Sequence, residues 1–191
     1  MTQYDVTTVQ GIIDRAVDFT ERRIPPRFRG VDVTDAAVAS WCDRWCAGQT
    51  RDSLLILGVT GSGKTHNAYG ALRRLARAGV VTQWDAVTGP DLHARLRPRD
   101  GADPETELER LLRVPLLMID DLGAGKPSEW TEEITYRLVN GRYDAWLPCL
   151  ITSNILPEQF RERLGDRVAS RLREMCERVT LRSGDLRTAP R

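Results

Sequence analysis

The sequence predicts an α/β fold, a mostly parallel five-stranded sheet in a three-layer αβα core. Three observations carry that reading. Short apolar runs alternate with segments of helical spacing, and each return to a parallel strand needs such a crossover helix. The run Ser53-Leu54-Leu55-Ile56-Leu57 passes through a glycine-rich turn into a helix-spaced segment. A second run, Leu116-Leu117-Met118-Ile119, ends in the adjacent carboxylates Asp120 and Asp121.

Taken in order, residues 1–23 read as one amphipathic helix. Val9, Ile12, Ile13, Ala16 and Phe19 form its apolar stripe, with Asp14, Arg15, Asp18, Glu21 and Arg22 off it. Ile24-Pro25-Pro26-Arg27-Phe28-Arg29-Gly30 ends it, because two prolines forbid helix continuation, and forms a linker or strap. Thr34 or Asp35 can cap a second helix that runs to Ala47. The expected layout is therefore an N-terminal helix over residues 1–23, a strap and helix over 24–50, and a core over 51–191. In the core, strands are expected at 53–57, 80–84, 115–120, 147–153 and 178–181. Helices are expected at 66–78, with Ala68, Leu72, Leu75 and Ala76 on one face, at 128–143, 157–164 and 166–176. The polar segment 88–113 reads as two short helices interrupted by Pro98-Arg99-Asp100-Gly101. A short polar tail follows, and no C-terminal lid domain is expected.

Composition narrows the function classes. With 191 residues, 41% hydrophobic and 29% charged, the chain has the size and make-up of one globular domain. No apolar run is long enough to span a bilayer and the N-terminus lacks a signal-peptide apolar region, so a cytoplasmic protein without a membrane partner is expected. A formal net charge of +1 requires any DNA site to be a local patch. Lys64 and Lys126 are the lysines, against a background of arginine. Cys42 and Cys46, beside Trp41 and Trp45, read either as buried thiols or as half of a metal site.

Gly58-Val59-Thr60-Gly61-Ser62-Gly63-Lys64-Thr65 fits the G-x-x-x-x-G-K-[ST] phosphate-binding loop at every fixed position. Between a strand and a helix, its glycines let N–H groups turn inward around a phosphate, aided by the helix dipole. Lys64 would reach the β- and γ-phosphates of ATP, and Thr65 would ligate Mg²⁺. Residues 58–66, including His66, are the expected ATP-binding segment. The Asp120-Asp121 pair has the form of a Walker B element: Asp120 would hold Mg²⁺ and Asp121 could polarise the attacking water. The plain alternative is a solvated Asp pair at a turn. The extra strand between the two motifs points to the P-loop branch that contains AAA+ proteins. Asn154, at the tip of the fourth strand, would contact the γ-phosphate or water, or else cap the next helix. Arg163, Arg167, Arg171 and Arg173 read as a solvated basic face or as the source of an arginine finger reaching a neighbouring subunit.

Together these segments resemble the DnaC/IstB family of AAA+ ATPases. Asp120-Asp121-Leu122-Gly123-Ala124-Gly125-Lys126-Pro127-Ser128-Glu129-Trp130 follows the family's extended Walker B segment. Asn140-Gly141-Arg142-Tyr143 matches N-x-R-Y, and Pro148-Cys149-Leu150-Ile151-Thr152-Ser153-Asn154 matches P-x-[IL]-[IV]-T-S-N. Arg163-Leu164-Gly165-Asp166-Arg167-Val168-Ala169-Ser170-Arg171-Leu172 and Gly184-Asp185-Leu186-Arg187 match two further signatures. The resemblance implies an ATPase with Lys64, Asp120, Asp121 and Asn154 catalytic. It also implies Arg171, with Arg167 second, as a finger in trans, and a homo-oligomer with ATP between subunits.

For function, the resemblance implies a helicase loader, of a phage or mobile element, that uses ATP to deliver the replicative helicase to single-stranded DNA. The N-terminal helix would dock on the helicase or pack on its own domain. An IstB-like transposition helper on duplex DNA and a nucleotide-gated adaptor with little turnover are the alternatives. Asp121, where many AAA+ proteins carry Glu, favours the adaptor. Arg95, Arg97 and Arg99, between the second strand and Walker B, would contact DNA phosphates or form a solvated loop.

Overall fold

The computed structural model describes residues 8–99, 101 and 103–181. Residues 1–7 of the expected first helix, Asp100 and the Gly184-Asp185-Leu186-Arg187 motif lie outside the described residues. The chain forms two compact units: Met1–Arg51 with Thr65–Trp84, and Asp52–Lys64 with Asp85–Arg191.

The first unit is helical. Helix α1 (Val9–Arg23) starts at Thr8, whose hydroxyl accepts the Gly11 N–H, and ends where Ile24 leads into Pro25 and a 3₁₀ turn over Pro26–Phe28. Helix α2 (Ala36–Cys46) is capped by Asp35, whose carboxylate accepts from Ala37 and Val38 N–H, so Asp35 and not Thr34 supplies the cap. Helix α3 (Lys64–Arg77) carries the residues that bind the strap. Asn67 Oδ1 accepts from the N–H groups of Thr34 and Asp35, and Phe28 stacks on Tyr69 with centroids 5.0 Å apart. At Gly70 a Cβ would lie 2.7 Å from the backbone at Asp32 and Val33, so the strap crosses the helix at backbone distance. Buried Arg73 donates to Glu21 on α1 and to the Val31 carbonyl. On α1, Gly11, Ala16 and Thr20 are buried, while Val9 is 76% exposed. Cys42 is a buried free thiol, pushed up to about 12 by its burial, and Cys46 is half-buried.

The second unit is built on five strands: β1 (Ser53–Leu57), β2 (Asp85–Thr88), β3 (Leu117–Asp120), β4 (Cys149–Ser153) and β5 (Cys176–Thr180). Their order is β2-β3-β4-β1-β5, and every pairing is parallel. Crossovers carry α4 (Gly89–Leu96), α5 (Pro104–Arg113), α6 (Glu129–Asp144), α7 (Phe160–Leu164, after a 3₁₀ turn) and α8 (Asp166–Met175). A single apolar cluster joins Leu55, Ile119 and Ile151 of the strands to Leu92, Leu108, Leu138, Leu164 and Leu172 of the helices.

One expected strand is misplaced. Residues 80–84 are a connection, and the strand is Asp85–Thr88. Val81 and Trp84 are apolar because they are buried in the first unit, where the Trp84 indole N–H donates to Thr20 Oγ1 at 2.9 Å. The true strand sits at the edge of the sheet among the described residues, pairs there with β3, and alternates buried with half-buried residues, which leaves it a weak apolar signal. Its buried Asp85 is satisfied by Arg110 of α5.

Arg142 fixes the base of the second unit. It is fully buried, and among the described residues no carboxylate pairs with it. Its guanidinium donates to the carbonyls of Leu111 (2.8 Å), Val114 (3.0 Å) and Pro148 (2.7 Å) and to Cys149 Sγ (3.2 Å). One side chain thereby joins the end of α5, the approach to β3, the approach to β4 and α6 itself.

Candidate nucleotide-binding site

Parallel pairing of β1 with β4 and of β4 with β3 aligns the C-terminal ends of these strands. That edge is where α/β sheets bind ligands. It brings together the loop after β1, the Asp pair after β3 and the polar end of β4.

The loop over residues 58–63 turns through left-handed backbone at Gly61 (φ +86°) and Gly63 (φ +89°), which a side chain would strain. A Cβ at Gly58 would meet Ser62 Oγ at 2.6 Å, so the wrap of the loop also needs that glycine. Val59 and Thr60 are exposed at its crest. Lys64, nearly buried, donates from Nζ to the carbonyls of Gly58 (2.8 Å) and Val59 (2.9 Å). Its ammonium is thus held at the mouth of the loop. Thr65 and His66 follow in the first turn of α3.

Asp120 is the last residue of β3, and Asp121 follows with φ +56°. Thr152, fully buried on β4, locks this turn: its hydroxyl donates to Asp120 Oδ1 (2.6 Å) and accepts the Asp121 N–H (2.8 Å). The Leu122 N–H donates to the Thr152 carbonyl, and Ser153 Oγ donates to the Leu122 carbonyl at 2.7 Å. Gly89, at the start of α4, lets the chain pass close by, since a Cβ there would lie 2.7 Å from the Asp121 carbonyl oxygen. Burial, and then the charge of Asp120, push the Asp121 carboxyl above its ordinary range, while Lys64 pulls it back. An aspartate so perturbed at a strand end suits proton acceptance.

Asn154 is exposed one residue beyond β4. The helix-capping alternative fails, because the cap of the following 3₁₀ turn is Leu156 and makes no side-chain bond. Arg163 donates to the carbonyls of Gly125 (3.0 Å) and Gly123 (3.3 Å), bracing the segment after Walker B. Arg171 lies on α8, where its hydrogen bonds run to Asn140 and Glu174. Arg167 is exposed, over the Tyr136 ring at 4.6 Å. Arg95 pairs loosely with Glu107 at 3.5 Å, Arg97 lies over Trp130 at 5.3 Å, and Arg99 is exposed. Sequence reasoning missed Thr152 and Gly89. Two hydroxyls closing the apolar run of a central strand, Thr152 and Ser153, were the available signal, because a buried hydroxyl requires a partner.

A family model described as IstB-like ATP binding protein matches residues 29–188. The phage-like element PBSX protein XkdC of Bacillus subtilis (strain 168) is 32% identical over 134 residues, covering 66% of this chain and 48% of that protein. The replicative helicase loader DnaC of Escherichia coli (strain K12) is 27% identical over 124 residues, covering 63% of this chain and 50% of that protein. The chain spans about half the length of these curated relatives. The crystal structure of the DnaC helicase loader superposes with a TM-score of 0.73 at 22% identity, covering 83% of this chain and all of that one, and at that identity it shows the fold. This chain shares that fold, and with the family model running through every element of the strand-end cluster, it belongs to the family of IstB-like ATP-binding proteins.

Proposed function

We propose that this chain hydrolyses the ATP it binds and uses the cycle to load a replicative helicase onto single-stranded DNA. The observation that carries the reading is the Lys64 ammonium at the loop mouth in the same unit as the Asp120–Thr152–Asp121 lock. Lys64 offsets the phosphate charge, and residues 58–66 wrap the phosphates. Asp121 accepts the proton of the attacking water, and Asn154 orients that water or the γ-phosphate. The donor set fits Mg²⁺: Asp120 and Thr65 are hard oxygen ligands, and the ion would neutralise phosphate charge when bound. Arg171 of an adjoining copy completes the site, so the working form is a homo-oligomer. The helicase-loading step is supported by the likeness to DnaC and, for a phage or mobile-element setting, by XkdC. Arg95, Arg97 and Arg99 are the candidate DNA contacts, and the exposed start of α1 at Val9 is the candidate helicase contact. No helix among the described residues is long and apolar enough to cross a membrane.

The IstB-like description of the matching family model favours a second reading, a transposition helper that assembles on duplex DNA. Sizing chromatography with the replicative helicase of the same genome, with and without ATP, separates the two. An ATP-responsive complex supports the loader. Absence of a complex, with ATP-dependent assembly on duplex in preference to single-stranded DNA, moves the assignment to the transposition helper.

A further inference from the structure

Asn140, Gly141, Arg142 and Tyr143 form the last turns of α6, and Arg142 pins that end of the helix through its carbonyl contacts. Asn140 and Tyr143 are three residues apart and so share one face. Both meet Arg171 of α8. Arg171 Nε donates to Asn140 Oδ1 at 3.0 Å, and its guanidinium carbon lies 4.3 Å from the centre of the Tyr143 ring. Glu174 is the nearby carboxylate, and it is already engaged. It accepts from the Tyr143 hydroxyl at 2.8 Å and from Ser170 at 3.0 Å, and its contact with Arg171 is the loosest of the three at 3.4 Å. Arg171 is therefore half-buried and held mainly by a neutral acceptor and a ring face, with its charge not cancelled by a tight ion pair. Arg167, one turn earlier, is exposed and lies over the Tyr136 ring, with no further contact shown among the described residues.

We propose that Asn140 and Tyr143 are positioning residues that hold the Arg171 guanidinium in the orientation in which one subunit presents it to ATP bound by the next. This rests on the trans arrangement of the proposed function. A long arginine side chain loses rotamer freedom when it engages a phosphate, and a pre-held one has lost most of it beforehand. Asn140 takes Nε and Glu174 meets Nη1 at 3.4 Å, so Nη2 is the terminal nitrogen placed to face a phosphate oxygen. The geometry also selects Arg171 over Arg167 as the finger, because Arg171 alone is fixed from two directions.

Mixed-subunit ATP turnover tests this, using the full chain with ATP, Mg²⁺ and a single-stranded oligonucleotide. Asn140→Ala should lower kcat roughly ten- to hundredfold with little change in KM for ATP, as expected for a misplaced catalytic group. Tyr143→Phe, which keeps the ring, should retain far more turnover than Tyr143→Ala. Lys64→Ala subunits lack a working site but keep a working finger. Mixed with equal Asn140→Ala subunits they should restore turnover to about a quarter of wild type, the share of interfaces with an intact site beside an intact finger. Arg171→Ala subunits should restore none. Turnover in Asn140→Ala equal to wild type, with Arg171→Ala impaired, overturns the positioning role and leaves the finger standing. Wild-type turnover in Arg171→Ala, or no turnover in the wild-type chain, overturns the trans reading and the positioning role with it. Rescue of Asn140→Ala by Arg171→Ala subunits also refutes the proposal, since the defect would then lie in the subunit's own site.

Discussion

Replacing Thr152 by Val keeps the shape of a fully buried strand residue and removes one oxygen. That oxygen makes two bonds, a 2.6 Å donation to the Asp120 carboxylate and a 2.8 Å acceptance from the Asp121 N–H. A hydrogen bond to a charged group contributes about 1.5 to 3 kcal/mol, and an N–H left unsatisfied costs about 1 to 3 kcal/mol. Val adds an apolar methyl in place of the hydroxyl, which returns up to about 1 kcal/mol. The expected loss is therefore about 1.5 to 6 kcal/mol in urea unfolding, with unchanged slope. ATP turnover should fall with it, because the same oxygen holds the Asp120 carboxylate and the backbone of Asp121 in the Walker B turn. Thr152→Ser, which keeps the hydroxyl, should cost about 1 kcal/mol and preserve most of the turnover. A Thr152→Val chain within about 0.5 kcal/mol of wild type and fully active would refute the claim that β4 locks the Asp pair.

Three other perturbations separate scaffold from site. Arg142→Ala strands three carbonyls at the base of the sheet and should cost at least about 3 kcal/mol by urea unfolding, while Arg142→Lys, which keeps a donor there, should cost less. Trp146 is 90% exposed and ends α6 with φ +53°, a conformation suited to glycine, so Trp146→Gly should stabilise the chain by about 1 kcal/mol in the same assay. Asp121→Asn should cut ATP turnover at least about a hundredfold without lowering thermal stability at neutral pH. The sign follows from its raised carboxyl: the folded state binds the extra proton, so wild-type stability falls as pH climbs from the ordinary carboxylate value through the raised one. The variant lacks that decline, and its stability advantage, read from paired melting curves, should disappear at pH below about 4.

The nucleotide loop was legible because its chemistry is local. Glycines, Lys64 and Thr65 are adjacent in sequence, and the strand before them, Ser53–Leu57, is apolar at four successive positions. The Asp pair was legible for the same reason. What escaped was long-range. Residues 80–84 look like a strand because burial in a connection and burial in a sheet leave the same apolar trace, and only Trp84 bonding to Thr20 distinguishes them. Thr152 stands out in the sequence only as part of the P-x-[IL]-[IV]-T-S-N motif, because its partners lie some thirty positions away, at and just after the end of β3. Asn140-Gly141-Arg142-Tyr143 was recognisable as a motif, but its working parts diverge. Arg142 turns inward to the base of the sheet, whereas Asn140 and Tyr143 turn toward α8. Arg163, Arg167, Arg171 and Arg173 look equivalent as a basic face, yet Arg163 braces the Walker B segment, Arg171 is held by α6 and Arg173 is exposed. Helical spacing assigns a face, and the partner on a neighbouring element decides what that face does.

Calorimetric titration of ATP with Mg²⁺ into the wild-type chain and into Lys64→Ala tests the central claim most directly. The nucleotide site described here predicts saturable binding in the wild type and none in the variant, with both chains unfolding cooperatively. Equal binding by Lys64→Ala would contradict it and place the nucleotide elsewhere on the molecule.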